Sequence, residues 1–230
     1  MLKINDLNAY YGDSIILREI SMNMEEGKVI GIVGRNGVGK STLLKSIMGL
    51  VSTPQGTIDL DGKNIIKDAT YKRAKAGIGY VPQGRDIFPQ LTVKENLILG
   101  LEVNNGKGTV DDEIFELFPV LKTMLDRKGG SLSGGQQQQL AIARALISKP
   151  KVLILDEPTE GIQPSIIKDI GRVIKTLKKK GGMSIILVEQ YLDFVLDLAD
   201  YIYVMEKGEV VEEGFTSEIN QEKLREIIAI

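Results

Sequence analysis

The stretch Gly34-Arg35-Asn36-Gly37-Val38-Gly39-Lys40-Ser41 decides how this sequence folds, because it matches the pattern G-x-x-x-x-G-K-[ST] without a mismatch. A short apolar run, Val29 to Val33, precedes it, and a helical segment from Lys40 to about Met48 follows it. Glycines let such a loop turn its N–H groups toward phosphate oxygens, and the helix start adds partial positive charge. The stretch therefore predicts a nucleoside triphosphate site between a buried strand and a helix.

The residue types in this loop suit the parts of a triphosphate. Lys40 is expected to reach the β- and γ-phosphates, and the hydroxyl of Ser41 is expected to ligate Mg²⁺. The predicted nucleotide-contacting set here is Gly34, Asn36, Gly37, Gly39, Lys40, Ser41 and Thr42. A glycine-rich turn that matches by chance is the alternative, and the flanking strand and helix argue against it.

A second apolar run, Val152 to Leu155, ends in the adjacent carboxylates Asp156 and Glu157. A buried strand that delivers an Asp to the carboxyl edge of a parallel sheet is the usual second half of such a site. Asp156 is expected to hold Mg²⁺, directly or through water, and Glu157 to polarise the attacking water. The alternative is a strand that simply ends in polar residues.

Composition excludes several kinds of chemistry. The 230 residues include no cysteine and no histidine, so disulfides, thiolate catalysis and imidazole catalysis are all excluded. The formal net charge of -2 provides no field for nucleic acid, so no nucleic-acid partner is expected. No apolar run approaches the roughly 18 residues of a membrane span, and no secretory signal is visible. We therefore expect a cytosolic chain that reaches a membrane only by docking to another subunit.

The order of predicted elements indicates an α/β fold. Strand-like and helical segments alternate around the phosphate-binding loop and again after residue 150, which predicts a mostly parallel core sheet. The alternating runs Leu2 to Leu7 and Ile15 to Met24 predict antiparallel strands near the N-terminus, and Thr57 to Leu60 adds a strand that turns at Asp61-Gly62.

Apolar residues recur at helical spacing between about residues 90 and 150, which predicts a helical insertion. We therefore expect one domain, residues 1–230. Residues 1–83 and 150–230 would form the catalytic core with its antiparallel strands, and residues 84–149 the helical subdomain.

The insertion carries a further glycine-rich stretch, Leu132-Ser133-Gly134-Gly135-Gln136. A hydroxyl and bare N–H groups at the start of a helix can hold an anion, so this is a second phosphate-binding device. Nothing in the sequence requires both devices to hold the same nucleotide within one monomer. The four glutamines Gln136 to Gln139 are predicted to begin a helix and to be solvated.

The phosphate-binding loop, the Leu-Ser-Gly-Gly-Gln stretch and the Asp-Glu strand end together resemble the nucleotide-binding domain of ABC ATPases, over essentially the whole chain. The resemblance implies a P-loop NTPase that hydrolyses ATP with Mg²⁺. It also implies a head-to-tail dimer with two sandwiched ATPs. Each ATP would lie between the P-loop of one subunit and Ser133, Gly134, Gly135 and Gln136 of the other.

Further roles follow from the resemblance, residue by residue. Tyr11 matches the aromatic residue that stacks on adenine, with a buried strand-end tyrosine as the alternative. Gln83 matches the glutamine that meets Mg²⁺ and the lytic water, which makes the implied metal set Ser41, Gln83 and Asp156. The segment Pro158 to Pro164 matches the loop that crosses the dimer interface.

One position departs from the family pattern. Gln190 stands where the family usually has a histidine that contacts the γ-phosphate. An amide can donate a hydrogen bond to phosphate but cannot carry a proton. The implied catalytic set is therefore Glu157, Lys40 and Gln190, with Gln190 as a substituted residue.

Within the family the chain resembles the short ATPases of the branched-chain amino acid importer group, which also carry Gln at this position. Residues 82–89, 132–140 and 157–165 resemble the urea-importer branch more closely, so urea is the expected cargo and branched-chain amino acids the alternative. The group implies a second ATPase subunit as heterodimer partner, with a homodimer possible in isolation. It also implies two integral membrane permease subunits, an extracytoplasmic binding protein and a place on the cytoplasmic face of the inner membrane.

Three other functions compete with this interpretation. A non-transport ABC ATPase would usually carry long coiled insertions or two fused units. A P-loop kinase would have no use for Leu132 to Gln136. A silent scaffold would have only Gln190 in its favour, against Lys40, Asp156 and Glu157.

Overall fold

Two β-sheets and their covering helices make up the part of the chain that the structure, a computed structural model, describes: residues 1–51 and 55–229. The strands are β1 (Leu2–Tyr11), β2 (Ser14–Met24), β3 (Val29–Val33), β4 (Gln55–Leu60), β5 (Lys63–Asn64), β6 (Ile78–Val81), β7 (Val152–Asp156), β8 (Ser184–Glu189), β9 (Tyr201–Glu206) and β10 (Glu209–Phe215). The helices are α1 (Lys40–Met48), α2 (Thr70–Lys75), α3 (Val93–Leu99), α4 (Asp112–Leu117), α5 (Pro119–Lys122), α6 (Gly134–Ile147), α7 (Pro164–Lys180), α8 (Leu192–Leu198) and α9 (Gln221–Ala229). Two short 3₁₀ helices span Gly100–Asn104 and Gly129–Ser131.

The larger sheet has the strand order β10-β9-β3-β8-β7-β6. Its strands are parallel except for β10, which pairs antiparallel with β9. Strands β3, β7 and β8 are buried along their whole length, as strands of a parallel sheet covered on both faces must be. The predicted mostly parallel core sheet is confirmed.

The smaller sheet is antiparallel, with the order β2-β1-β4-β5, and confirms the predicted N-terminal strands. Strand β1 runs on to Tyr11, past the end predicted at Leu7. The pairing register shifts between Ile4 and Leu7, and Asp6 adopts a positive φ of 48°. This bulge breaks the alternation of apolar and polar residues, which is why the sequence pattern ended early.

The core lies on both faces of the larger sheet. Helix α1 and the antiparallel sheet cover one face, and α3, α6, α7 and α8 cover the other. The chain between β6 and β7 forms helices and turns, with one isolated bridge between Thr92 and Lys128. The division into a catalytic core and a helical subdomain stays a prediction.

The expectation for the four glutamines was wrong for two of them. Gln138 and Gln139 are only 3% and 4% exposed. Helix α6 packs against α3 and β6, so the residues one turn inside its start face the interior. Gln136 and Gln137 remain partly exposed at the first turn.

Candidate active site

The strand order brings the predicted site residues to one edge of the sheet. Strands β3, β8, β7 and β6 are neighbours and run parallel, so their carboxyl ends open on the same side. The residues that follow or end these strands are the loop Gly34–Lys40 after β3, Gln190 after β8, Asp156 and Glu157 at β7, and Gln83 after β6.

The phosphate-binding loop needs its glycines for space as well as for conformation. Gly34 has φ 155°, and a Cβ there would lie 2.4 Å from the carbonyl oxygen of Met205. Gly39 has φ 108°, and a Cβ there would lie 2.9 Å from Cδ2 of Leu17. The loop is thus wedged against other strands, while Gly37 at its tip has φ 79° and open space around it.

Lys40 points into this loop and is 5% exposed. Its Nζ donates hydrogen bonds to the carbonyl oxygens of Gly34 at 2.7 Å and Arg35 at 2.8 Å. It also lies 3.8 Å from Oε1 of Glu157. Burial lowers the pKa of Lys40, and the carboxylates of Glu157 and Asp156 oppose that shift. The ammonium is therefore held between the loop and the carboxylates.

Asp156 is 2% exposed and carries an unpartnered oxygen. Its Oδ2 accepts a hydrogen bond from the Tyr80 hydroxyl at 3.4 Å, whereas Oδ1 has no hydrogen-bond partner among the described residues. Burial and the neighbouring charge of Glu157 raise the pKa of Asp156, and the Ser41 hydroxyl acts in the opposite direction. A buried carboxylate with a free oxygen beside a hydroxyl suits Mg²⁺, which prefers oxygen ligands.

The described residues contain no group of three or more carboxylates that could hold a metal without help. Mg²⁺ is commonly bound through one or two carboxylates together with phosphate oxygens and water. Asp156 and Ser41 therefore fit a cation that arrives with a nucleotide.

Glu157 is the centre of a network of amide donors. Its Oε2 accepts hydrogen bonds from Nε2 of Gln190 at 2.9 Å and from Nε2 of Gln83 at 3.3 Å. The side chain is nearly buried, and its backbone has a positive φ of 48°, which turns the chain sharply at the strand end. A carboxylate so oriented can accept a proton from water beside a phosphate. The structure thus brings together Lys40, Gln83, Asp156, Glu157 and Gln190.

Sequence analysis missed two carboxylates in this network. Glu160 accepts a second hydrogen bond from Nε2 of Gln83, at 2.9 Å. Glu189 is 2% exposed and accepts from the backbone N–H groups of Thr159 and Gln190. Glu189 ends an apolar strand just as Asp156 does, and that position is the signal that could have marked it.

The second phosphate-binding device lies at the start of α6. Ser133 caps this helix: its Oγ accepts from the backbone N–H of Gln136, whose side chain accepts from the N–H of Ser133 at 3.0 Å. A Cβ on Gly134 would lie 2.9 Å from the guanidinium of Arg85, and one on Gly135 2.8 Å from Ile166. None of the described hydrogen bonds joins these residues to the phosphate-binding loop.

Tyr11 lies at the end of β1 and is 50% exposed. The alternative of a buried strand-end tyrosine therefore does not hold. Its ring is free to meet a flat ligand, and adenine stacking stays a prediction.

Known proteins resemble this chain over nearly its full length. Residues 17–160 match the family described as ABC transporter. A high-affinity branched-chain amino acid transport ATP-binding protein of Pseudomonas aeruginosa is 39% identical over 92% of this chain and 91% of that protein. A probable branched-chain amino acid transport ATP-binding protein of Archaeoglobus fulgidus is 38% identical over 95% and 94%.

A solved structure extends the comparison to three dimensions. It is a dimeric ATP-binding cassette in a post-hydrolysis state with ADP and Pi, and it is similar with a TM-score of 0.84 and 27% identity over 94% of this chain and 99% of that chain. The fold described above agrees with these likenesses. The chain belongs to the ABC transporter family and is an ATP-hydrolysing subunit with the P-loop NTPase fold of that family.

Proposed function

We propose that this chain powers an importer of branched-chain amino acids by hydrolysing ATP at the cytoplasmic face of the membrane. The choice of cargo rests on one observation. The chain is similar, at 39% and 38% identity over more than nine tenths of its length, to two ATPases named for branched-chain amino acid transport. Neither of those relatives is named for urea, the cargo favoured by the resemblance of residues 82–89, 132–140 and 157–165 to the urea-importer branch. Urea is therefore the second candidate cargo.

The proposed chemistry is attack of water on the γ-phosphorus of ATP, with cleavage of the bond from that phosphorus to the β,γ-bridging oxygen, so that ADP leaves and inorganic phosphate forms. Glu157 accepts the proton of the water, since its Oε2 is fixed by the amides of Gln190 and Gln83. Lys40 would neutralise charge on the β- and γ-phosphates, and Asp156, Ser41 and Gln83 would hold Mg²⁺. When bound, Mg²⁺ would neutralise charge on the phosphate oxygens.

The proposed working form is a head-to-tail dimer. Ser133, Gly134, Gly135 and Gln136 stand at an accessible helix start, at which a phosphate of a nucleotide held by the partner could bind. A second ATPase subunit is the proposed partner, and a homodimer is possible in isolation. The dimeric cassette with ADP and Pi supports dimerisation in the family.

The membrane contact is proposed to lie at a groove of about 460 Å³ between the core and the helical region. Phe88 lines it and is 49% exposed, and the guanidinium of Arg144 lies 5.2 Å from the centre of its ring. A mostly apolar groove lined by two aromatic residues, Phe88 and Tyr80, suits a short cytoplasmic helix of a permease. In residues 1–51 and 55–229, no helix has the length and apolar character to cross a bilayer. Two permease subunits and an extracytoplasmic binding protein complete the proposed importer.

The cargo is tested by uptake of labelled leucine and labelled urea in cells that lack this chain. Loss of leucine uptake alone, restored by the wild-type chain but not by Glu157→Gln, is the expected result. Loss of urea uptake alone would support the proposed importer function but would show that the cargo is urea. Unchanged uptake of both would contradict the proposed transport.

A further inference from the structure

We propose that Glu189 is a positioning residue, which fixes Gln190 relative to the segment that follows Glu157 and thereby sets the rate of ATP hydrolysis. The proposal rests on the roles proposed above for Glu157 and Gln190. It adds a residue whose hydrogen bonds go to two backbone N–H groups.

Glu189 is held by backbone groups. Its Oε1 accepts from the N–H of Thr159 at 2.8 Å, and its Oε2 accepts from the N–H of Gln190 at 3.1 Å. No ion pair of the described residues includes it, and its side chain is 2% exposed. One carboxylate thus spans two separate segments of chain, with one oxygen on each.

Both segments lead to Glu157. Thr159 lies two residues after it, in the turn where the N–H of Glu160 donates to the Glu157 carbonyl oxygen at 3.2 Å. Gln190 reaches it through the 2.9 Å hydrogen bond from Nε2 to Oε2. The contacts therefore close a ring through Thr159, Glu189, Gln190 and Glu157.

A carboxylate is the side chain that this ring requires. The two N–H donors need two acceptor oxygens, and a glutamine offers only one. Burying a carboxylate outside any ion pair costs stability, so a neutral residue would suit the fold better. Burial accordingly raises the pKa of Glu189. A costly residue kept beside the catalytic carboxylate points to a role in positioning.

Ser184 provides a matched control on the same strand. It lies at the opposite end of β8 and is fully buried. Its Oγ accepts a hydrogen bond from the N–H of Gly27 and donates one to the carbonyl oxygen of Glu25, each at 3.0 Å. Ser184→Ala therefore removes buried hydrogen bonds from β8 but leaves the ring intact.

The first test compares Glu189→Gln with Ser184→Ala in steady-state ATP hydrolysis by the full chain. For Glu189→Gln we expect kcat to fall about fivefold, as for loss of a hydrogen bond of about 1 kcal/mol, with KM for ATP within about twofold. Ser184→Ala should keep the wild-type kcat. An unchanged kcat in Glu189→Gln, or an equal fall in both variants, would overturn the proposal.

The second test asks whether Glu189 acts through Gln190. Gln190→Ala alone is expected to lower kcat about fivefold. If Glu189 acts through Gln190, adding Glu189→Gln should leave kcat at that same level. Independent effects of the two substitutions would instead multiply to a loss of about twenty-five-fold. Multiplied losses would overturn the proposal.

Amide hydrogen exchange tests the ring without turnover. In Glu189→Gln we expect the amides of Thr159 and Gln190 to exchange faster than in the wild-type chain. The amides of β3 should stay protected, which shows that the fold is intact. Unchanged exchange at both amides would overturn the proposal. Absence of ATPase activity in the wild-type chain, with its partner ATPase present, would instead count against the proposed function.

Discussion

Nε2 of Gln190 donates a hydrogen bond of 2.9 Å to Oε2 of Glu157, and this contact links the ends of the neighbouring strands β8 and β7. The family usually places a histidine at the position of Gln190, yet the amide here meets the carboxylate directly. Glu157 is thus oriented by a neutral donor that cannot take its proton. The arrangement separates orientation of the proposed base from proton transfer.

Replacing Gln190 by alanine should therefore slow hydrolysis without abolishing it. One neutral hydrogen bond contributes about 1 kcal/mol, which predicts a fall in kcat of about fivefold. Steady-state ATPase assays measure it, with nucleotide affinity from a fluorescent ATP analogue as control. A complete loss of turnover would show that the amide is itself essential to the chemistry.

Asp156→Asn should stabilise the nucleotide-free chain while it removes the proposed Mg²⁺ ligand. The folded-state pKa of Asp156 is raised, first by burial and then by Glu157. At a pH between the unfolded and folded pKa values, the folded state binds more protons than the unfolded state. Stability therefore falls as pH rises through that window. Above the window, the full cost in folding free energy of burying the ionised Asp156 is present. At neutral pH we expect Tm to rise by about 2–4 °C, which corresponds to about 1 kcal/mol.

Differential scanning fluorimetry across pH checks this expectation. The gain in Tm from Asp156→Asn should shrink as pH is lowered, because the wild-type carboxyl then becomes neutral. Asp59→Asn, at a partly exposed position of the antiparallel sheet, is the control. A lower Tm for Asp156→Asn at neutral pH would contradict the prediction.

Arg73→Met should destabilise the fold by about 3 kcal/mol, because four carbonyl oxygens would lose a charged donor. Arg73 is 1% exposed and donates to the carbonyl oxygens of Ser46, Ile47, Ile66 and Asp68. Two of these carbonyls belong to the last turn of α1, the helix that begins at Lys40. Urea denaturation measures the change, and the exposed neighbour Lys72→Met should alter the free energy of unfolding by less than about 0.5 kcal/mol. Equal effects of the two substitutions would contradict this assignment.

Phe88→Ala should weaken binding to a permease about tenfold, as loss of an interface anchor of about 1.4 kcal/mol would. The control is Ile98→Ala, since Ile98 is also exposed, at 43%, but does not line the groove. Co-purification with detergent-solubilised permease, titrated with increasing salt, measures the difference. Equal binding of the permease by both variants would contradict the proposal that this groove contacts the permease.

The parts of the site that sequence could predict are those with a local pattern. The phosphate-binding loop and the strand that ends at Asp156 each combine an apolar run with fixed residue types, so strand, turn and chemistry could be inferred together. The parallel order of the sheet then explains why Gln83, Asp156 and Gln190 lie at one edge. Their catalytic and binding roles stay predictions.

Other features depend on contacts between distant residues, and no local pattern encodes them. Arg73 meets α1 across 26 and 27 residues, and Glu189 meets Thr159 across 30. Strand β6, Ile78–Val81, was not predicted from the sequence. Gln138 looked solvated because polar residues usually are, and only the packing of α6 against α3 shows otherwise.

The measurement that tests the account most directly is ATP turnover by Glu157→Gln, with ATP binding measured alongside. The amide keeps the shape of the side chain but cannot accept the proton of water, so we expect hydrolysis to fall by a factor on the order of 10² or more. ATP should still bind, and the dimer with bound ATP should accumulate in gel filtration. Hydrolysis at the wild-type rate, with the partner ATPase present, would contradict the assignment of Glu157 as the base and with it the proposed mechanism.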